Sequence, residues 1–186
     1  MGTIEERIKD SIITKQRILD DMFLIGQIEK SAVRIKKALD LGGKVLFCGN
    51  GGSASDSLHL AGEFIGRFQR ERMPLPAIAL NADVAAMTAI ANDYGYGQVF
   101  SRAVEGLMQR EDVLVGISTS GNSENVYQAI LSAKKIGGTT VAFLGRDGGK
   151  IKDEADISII VPDDCTARVQ ESHIMIGHII CELIEG

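Results

Sequence analysis

Apolar residues recur at helical intervals from Thr3 to Leu41. Ile4, Ile8 and Ile12 follow steps of four; Ile18, Met22, Ile25, Ile28, Ala32, Ile35 and Leu39 follow steps of three and four. Such spacing lines one stripe of a helix. Thr3 followed by Glu6 fits a capping box, and Gly42-Gly43 supplies a stop. The pattern predicts about forty residues of helix, broken near Gly26, ahead of the first strand. An amphipathic arm of that size needs a surface to cover it, and a partner subunit is the candidate.

From Lys44 the period changes. Short apolar runs at Val45–Cys48, Ala77–Leu80, Val113–Ile117, Thr140–Leu144 and Ile157–Val161 alternate with helical stretches. Those stretches are Ser55–Phe68, Val84–Ala91, Gln98–Met108, Ser123–Ile136 and Ala167–Ile184. Continuous apolar strands between helices imply a parallel sheet covered on both faces. The expected fold is therefore α/β, a doubly wound, flavodoxin-like sheet of five strands. No linker or low-complexity segment interrupts the chain, so 1–186 reads as one domain, with 1–42 the arm and 43–186 the core. Ligands of such a fold bind at the carboxyl ends of the strands.

Two strand-to-loop-to-helix units resemble each other. One runs Val45 to Asp56 through Gly49-Asn50-Gly51-Gly52-Ser53-Ala54; the other runs Val113 to Glu124 through Ser118-Thr119-Ser120-Gly121-Asn122-Ser123. In the second, four hydroxyls and a glycine open a helix. Its unsatisfied N–H groups and dipole suit a phosphate monoester without any lysine. The plain alternative is a loop with Ser123 as an N-cap. The first unit fits the dinucleotide pattern G-x-G-x-x-A, but the second strand ends Leu80-Asn81 where that reading needs a carboxylate. No Gly-Lys-Ser/Thr follows, which excludes a Walker loop. What survives is a loop open to close approach by a ligand, with Asn50 facing sugar hydroxyls.

Composition narrows the partners. A core of 45% hydrophobic residues in 186 buries roughly 70% of the unfolded surface. Net charge is −5 with signs interspersed, so no general field attracts nucleic acid. No apolar run approaches the ~20 residues of a membrane span, and charged, periodic Met1–Asp10 does not resemble a signal peptide. A cytoplasmic protein without membrane or nucleic-acid partners is expected. Cys48, Cys165 and Cys181 are an odd, widely spaced set in apolar or strand-like surroundings, with no CxxC pair. They read as reduced residues rather than a thiolate zinc site.

Three histidines remain: His59, His173 and His178. His59 and Glu63 share a helix face, where they can hold one metal or simply pair at the surface. On the last helix, Gln170 and His178 fall within about 80° of each other, while His173 is turned roughly 140° from His178. His173 therefore reads as a core residue. His178 joins a site only where this helix faces the loops. The chemistry these groups suit is proton abstraction beside a carbonyl, with a divalent metal polarising it. Neither a carboxylate cluster nor an activated nucleophile for hydrolysis is present.

Cys48 through Asp56, continued by His59, Glu63, Gly66 and Arg67, resembles the phosphoheptose (sedoheptulose 7-phosphate) isomerase family of the SIS-domain superfamily. The likeness continues through Ala91–Gly95, Gly116–Ser123 and Ala167–His173 to His178. The resemblance implies that Ser118, Thr119, Ser120 and Ser123 hold the substrate phosphate. It implies that Asn50, Gly51, Gly52, Ser53, Asn92 and Asp93 line the sugar, with Gln170 also at the substrate. It assigns one Zn2+ per subunit to His59, Glu63, Gln170 and His178, and acid–base catalysis through an enediol to Glu63 and His178. It further implies a homotetramer with active sites between subunits, serving nucleotide-activated heptose for surface glycans such as lipopolysaccharide. Two other readings stand beside it: a non-catalytic SIS module that binds protein, as in replication initiation, and an isomerase of another ketose phosphate.

Overall fold

In the computed structural model, which describes residues 3–186, the expected arm is two helices. Met1 and Gly2, the start of the segment read against a signal peptide, lie outside the described residues. α1 (Ile4–Asp20) opens with both reciprocal bonds of the Thr3–Glu6 capping box. The break falls at Asp21, not near Gly26. Asp21 is extended (φ −93°, ψ 93°), and its carboxylate accepts from the N–H groups of Phe23 and Leu24, capping α2 (Met22–Asp40). Satisfying two orphan donors decides the break, whereas a lone glycine only lowers helix propensity. The break also resets the helical phase. Leu24, Ile28, Ala32, Ile35 and Ala38 face the core, while Met22 is 77% exposed. Ile4, Ile8 and Ile12 are exposed as well, so the apolar stripe of α1 is only partly covered.

Past Gly42, which takes φ 83° as a left-handed stop, strands and helices alternate. They run β1 (Val45–Gly49), α3 (Gly52–Ile65), β2 (Ala77–Ala79), α4 (Val84–Tyr94), α5 (Val99–Leu107), β3 (Val113–Ser118), α6 (Glu124–Ile136), β4 (Thr139–Gly145), β5 (Ile157–Val161) and α7 (Thr166–Glu185). Every pairing is parallel, in the order β2-β1-β3-β4-β5. Alternate strand residues serve two cores. Val45, Phe47, Val115 and Phe143 pack with α2, α3 and α7; Leu46, Cys48, Leu114 and Leu144 pack with α5 and α6.

The strand order places the site. β1 leads outward to β2, and β3 leads the opposite way to β4 and β5. The crevice of such a sheet opens where the direction reverses, between β1 and β3. Gly49 pairs with Ile117, so the two similar loops leave neighbouring strands one residue apart in register. The amino ends of these strands are closed instead. Asp112, its side chain 1% exposed, accepts from the N–H groups of Lys44 and Gln109 and pairs with Lys44 Nζ at 2.6 Å.

All three cysteines are free. Cys48 and Cys181 are buried, and burial pushes both thiols up to about 12. Cys165 is exposed at the N-cap of α7 rather than in the expected apolar or strand-like surroundings, because the connection after β5 surfaces before the helix starts. Among the described residues no helix is long and apolar enough to cross a membrane.

Candidate active site

The loop after β1 turns tightly. Gly51 takes φ 57°, ψ −120°, and no side chain caps α3 behind it. The Ser53 N–H donates to the Asn50 carbonyl at 3.0 Å, and Ser53 is buried. Gly52 has a steric reason: a Cβ there would lie 2.0 Å from Gln170 Nε2. Gln170 thus reaches across from α7 and covers the glycine loop.

The loop after β3 is braced from β4. Gly121 has φ 66°, and a Cβ on it would lie 2.1 Å from the Gly148 carbonyl oxygen. The Ile151 N–H donates to the Gly121 carbonyl, and the Lys150 N–H to Asn122 Oδ1. The Ser118 and Ser123 hydroxyls lie 2.9 Å apart. Ser123 occupies the N-cap position of α6 but makes no side-chain cap, so the plain N-cap reading does not describe its hydroxyl. Thr119 and Ser120 are half-buried beside it. Glu124, the one acid in this first turn, is turned away by Lys150 and Gln128, which hold its carboxyl below its ordinary value. The result is a hydroxyl-lined helix N-terminus, the arrangement an anion prefers.

Titratable groups converge about two helix turns beyond the glycine loop. His59 Nε2 lies 2.9 Å from His178 Nε2 and 3.2 Å from Glu63 Oε1. The ligand atoms of all three lie within 4.8 Å of one another. α3 and α7 pack on the same face of the sheet, which is why residues 119 apart in sequence meet. Two imidazoles and a carboxylate with one side open are the donor set of a catalytic zinc site, so these residues fit the metal that the family implies. Gln170, two helical turns from His178, lies against Gly52. Asn92 and Asp93 end α4 at an exposed place, with the Asn92 amide donating to Asp93 at 2.9 Å. No hydrogen bond joins either to another of the predicted site residues.

Several neighbours carry no recognisable motif. The Phe68 ring stacks on His178 at 5.2 Å and 28°. Its segment is held by Glu185, whose carboxylate accepts from the N–H groups of Phe68, Gln69 and Arg70 and from Arg72 Nε. Burial alone would raise that carboxyl; these donors outweigh it and bring it down to about 2. Asp56, one turn before His59, is pushed up to about 6 by burial against the pull of His59, and its Oδ2 is buried without a partner. Asn125 and Tyr96 bond Asn50. Asp56 alone had a local signal, sitting one turn before the His59–Glu63 pair.

His173 is the core histidine its helical angle predicts. Its Nε2–H donates to the Leu144 carbonyl at 2.9 Å, Nδ1 has no partner, and burial pushes the ring down to about 4.

A family model for the SIS domain matches residues 15–145. The phosphoheptose isomerase of Clostridium acetobutylicum is 52% identical, over 98% of this chain and 93% of that protein. The solved phosphoheptose isomerase of Neisseria gonorrhoeae superimposes with a TM-score of 0.91 at 43% identity, covering 98% of this chain and 99% of that one. The Francisella tularensis structure gives 0.93 at 38%, covering 97% and 95%. Likeness at that depth extends over the arm, both loops and the last helix alike, and the chain belongs to the phosphoheptose isomerase family of SIS-domain proteins and is an isomerase.

Proposed function

We propose that this isomerase converts sedoheptulose 7-phosphate to D-glycero-D-manno-heptose 7-phosphate through an enediol, as the first step towards nucleotide-activated heptose for surface glycans. The observation that carries the reading is one crevice with two different ends. A hydroxyl-lined helix N-terminus stands at β3, and a His59–Glu63–His178 cluster stands about two turns past the loop of neighbouring β1. A phosphosugar has the same two ends.

In this reading Ser118, Thr119, Ser120 and Ser123 hold the phosphate with the α6 N–H groups, so that binding energy orients the distant carbonyl. Gly51, Gly52 and Ser53 line the sugar with backbone, Asn50 edges that loop, and Asn92 and Asp93 approach from the end of α4. Glu63 removes the proton from the carbon beside the carbonyl, and His178 serves as its acid–base partner. Stacking on Phe68 limits the tilt of the His178 ring. His59, Glu63 and His178, joined by Gln170, are the residues that would hold Zn2+. When bound, that ion polarises the carbonyl and stabilises negative charge on its oxygen. Exposed Ile4, Ile8, Phe23 and Val84 support a homotetramer whose subunits cover these faces.

The test is incubation of purified protein with sedoheptulose 7-phosphate, with and without Zn2+, following heptose 7-phosphate by NMR. Product formation is the expected result. Bound phosphosugar without turnover by metal-loaded protein would shift the assignment to another ketose phosphate or to a binding module.

A further inference from the structure

The loops after β1 and β3 are joined by a reciprocal pair of amides. Asn50 Nδ2 donates to Asn125 Oδ1 at 2.8 Å, and Asn125 Nδ2 donates back to Asn50 Oδ1 at 2.9 Å. The Tyr96 hydroxyl donates to the same Asn50 oxygen at 2.9 Å, and the Val126 N–H donates to Asn125 Oδ1 at 3.0 Å. Asn125 is 3% exposed. A side-chain amide oxygen has two lone pairs, and on both residues both are used. The arrangement has one orientation. Turning Asn125 over would set its NH2 against the Val126 N–H, and Asn125 in turn sets Asn50.

Asn50 directly follows β1, and Asn125 lies in the first turn of α6, so this pair crosses the crevice at the switch point. We propose that Asn125 is a positioning residue. It fixes the orientation of the Asn50 amide and sets the separation of the sugar-facing and phosphate-facing loops, with Tyr96 tethering the outer side. The proposal rests on the isomerase reading, since only a ligand that spans both loops feels their separation.

A ligand that occupies one loop is therefore the control. In Asn125→Ala, kcat/KM for sedoheptulose 7-phosphate falls about a hundredfold, the cost of misplacement on the ångström scale. Affinity for inorganic phosphate, measured by calorimetry, stays within about twofold, as for an untouched site. The clasp also predicts non-additivity: the Asn50→Ala, Asn125→Ala double variant loses no more than the worse single one. Tyr96→Phe, at an exposed position, leaves the urea midpoint unchanged and costs about fivefold in kcat/KM, one neutral hydrogen bond's worth. Additive losses would mean that the two amides act independently and would overturn the proposal. A lowered urea midpoint in Asn125→Ala with kcat/KM intact in the folded protein would reduce the pair to a structural contact and overturn it too. Wild-type protein that turns over no ketose phosphate overturns the isomerase reading and this proposal with it; turnover with additive losses overturns the clasp alone.

Discussion

The β1–α3 and β3–α6 units begin alike and end differently. Each is a buried strand, a loop with one left-handed glycine (Gly51 or Gly121), and an uncapped helix N-terminus. Their helices then cross to opposite faces of the sheet. α3 meets α7, so its second and third turns, carrying His59 and Glu63, are completed by His178. α6 packs on α5, and its inward residues Val126, Ala129, Ile130 and Ala133 are core. On the proposed function, one local motif thus supplies chemistry in one place and anchorage in the other. The face chosen by the crossover makes the difference, not the loop.

Substitutions should separate the two roles. Glu63→Gln keeps the shape of the cluster and removes its proton acceptor, so turnover is expected to fall roughly a thousandfold. Bound sedoheptulose 7-phosphate would remain visible by NMR titration. A change in KM alone would move Glu63 to the anchorage side.

The α7 histidines extend the contrast, since the helix turns His178 to the cluster and His173 into the core. Between about pH 6.5 and about pH 4 the unfolded chain takes up a proton that the buried His173 ring refuses. Stability is therefore full above that window and falls by roughly 3 kcal/mol as the pH drops through it. Urea unfolding across this range measures the slope. His173→Gln should flatten it, and an unchanged slope would place the proton uptake elsewhere.

Anchorage is the smaller effect per residue. Thr119→Val removes one hydroxyl of the β3 loop, and KM is expected to rise about tenfold with kcat little changed, the loss of one hydrogen bond to a charged group. Steady-state kinetics decide it, and a fall in kcat instead would tie this loop to the chemistry. Smallest is Gly52→Ala. Its Cβ displaces the flexible end of Gln170, so kcat should fall about fivefold, the cost of an off-rotamer side chain, while the urea midpoint stays put.

Most of the fold was legible because its signals are local. Apolar runs of strand length, helical stripes, the Thr3–Glu6 box and the glycine turns each act within a few residues. The break at Asp21 was missed because Gly26 is a weak propensity signal, whereas a capping aspartate makes two specific bonds inside an otherwise helical pattern. At the site, the hydroxyl loop and the His59–Glu63 pair were visible, each being contiguous or one turn apart. The contact of the Gln170 amide with Gly52 was not visible, because the two stand on different elements far apart in sequence. Asn125 reads locally as an ordinary first-turn residue of a helix. Its partner stands 75 positions away.

By itself, then, the amino-acid order determines which segments are strands and helices, where the turns lie and which loops end in open donors, since these depend on neighbours along the chain. Tertiary structure alone decides that β1 lies beside β3, that α3 and α7 share a face, and that Asn50 meets Asn125 and His59 meets His178. Those contacts follow from strand order and from the face each crossover helix covers. Both are set by burying two apolar faces at once, a condition on the whole sheet that no short window of sequence carries.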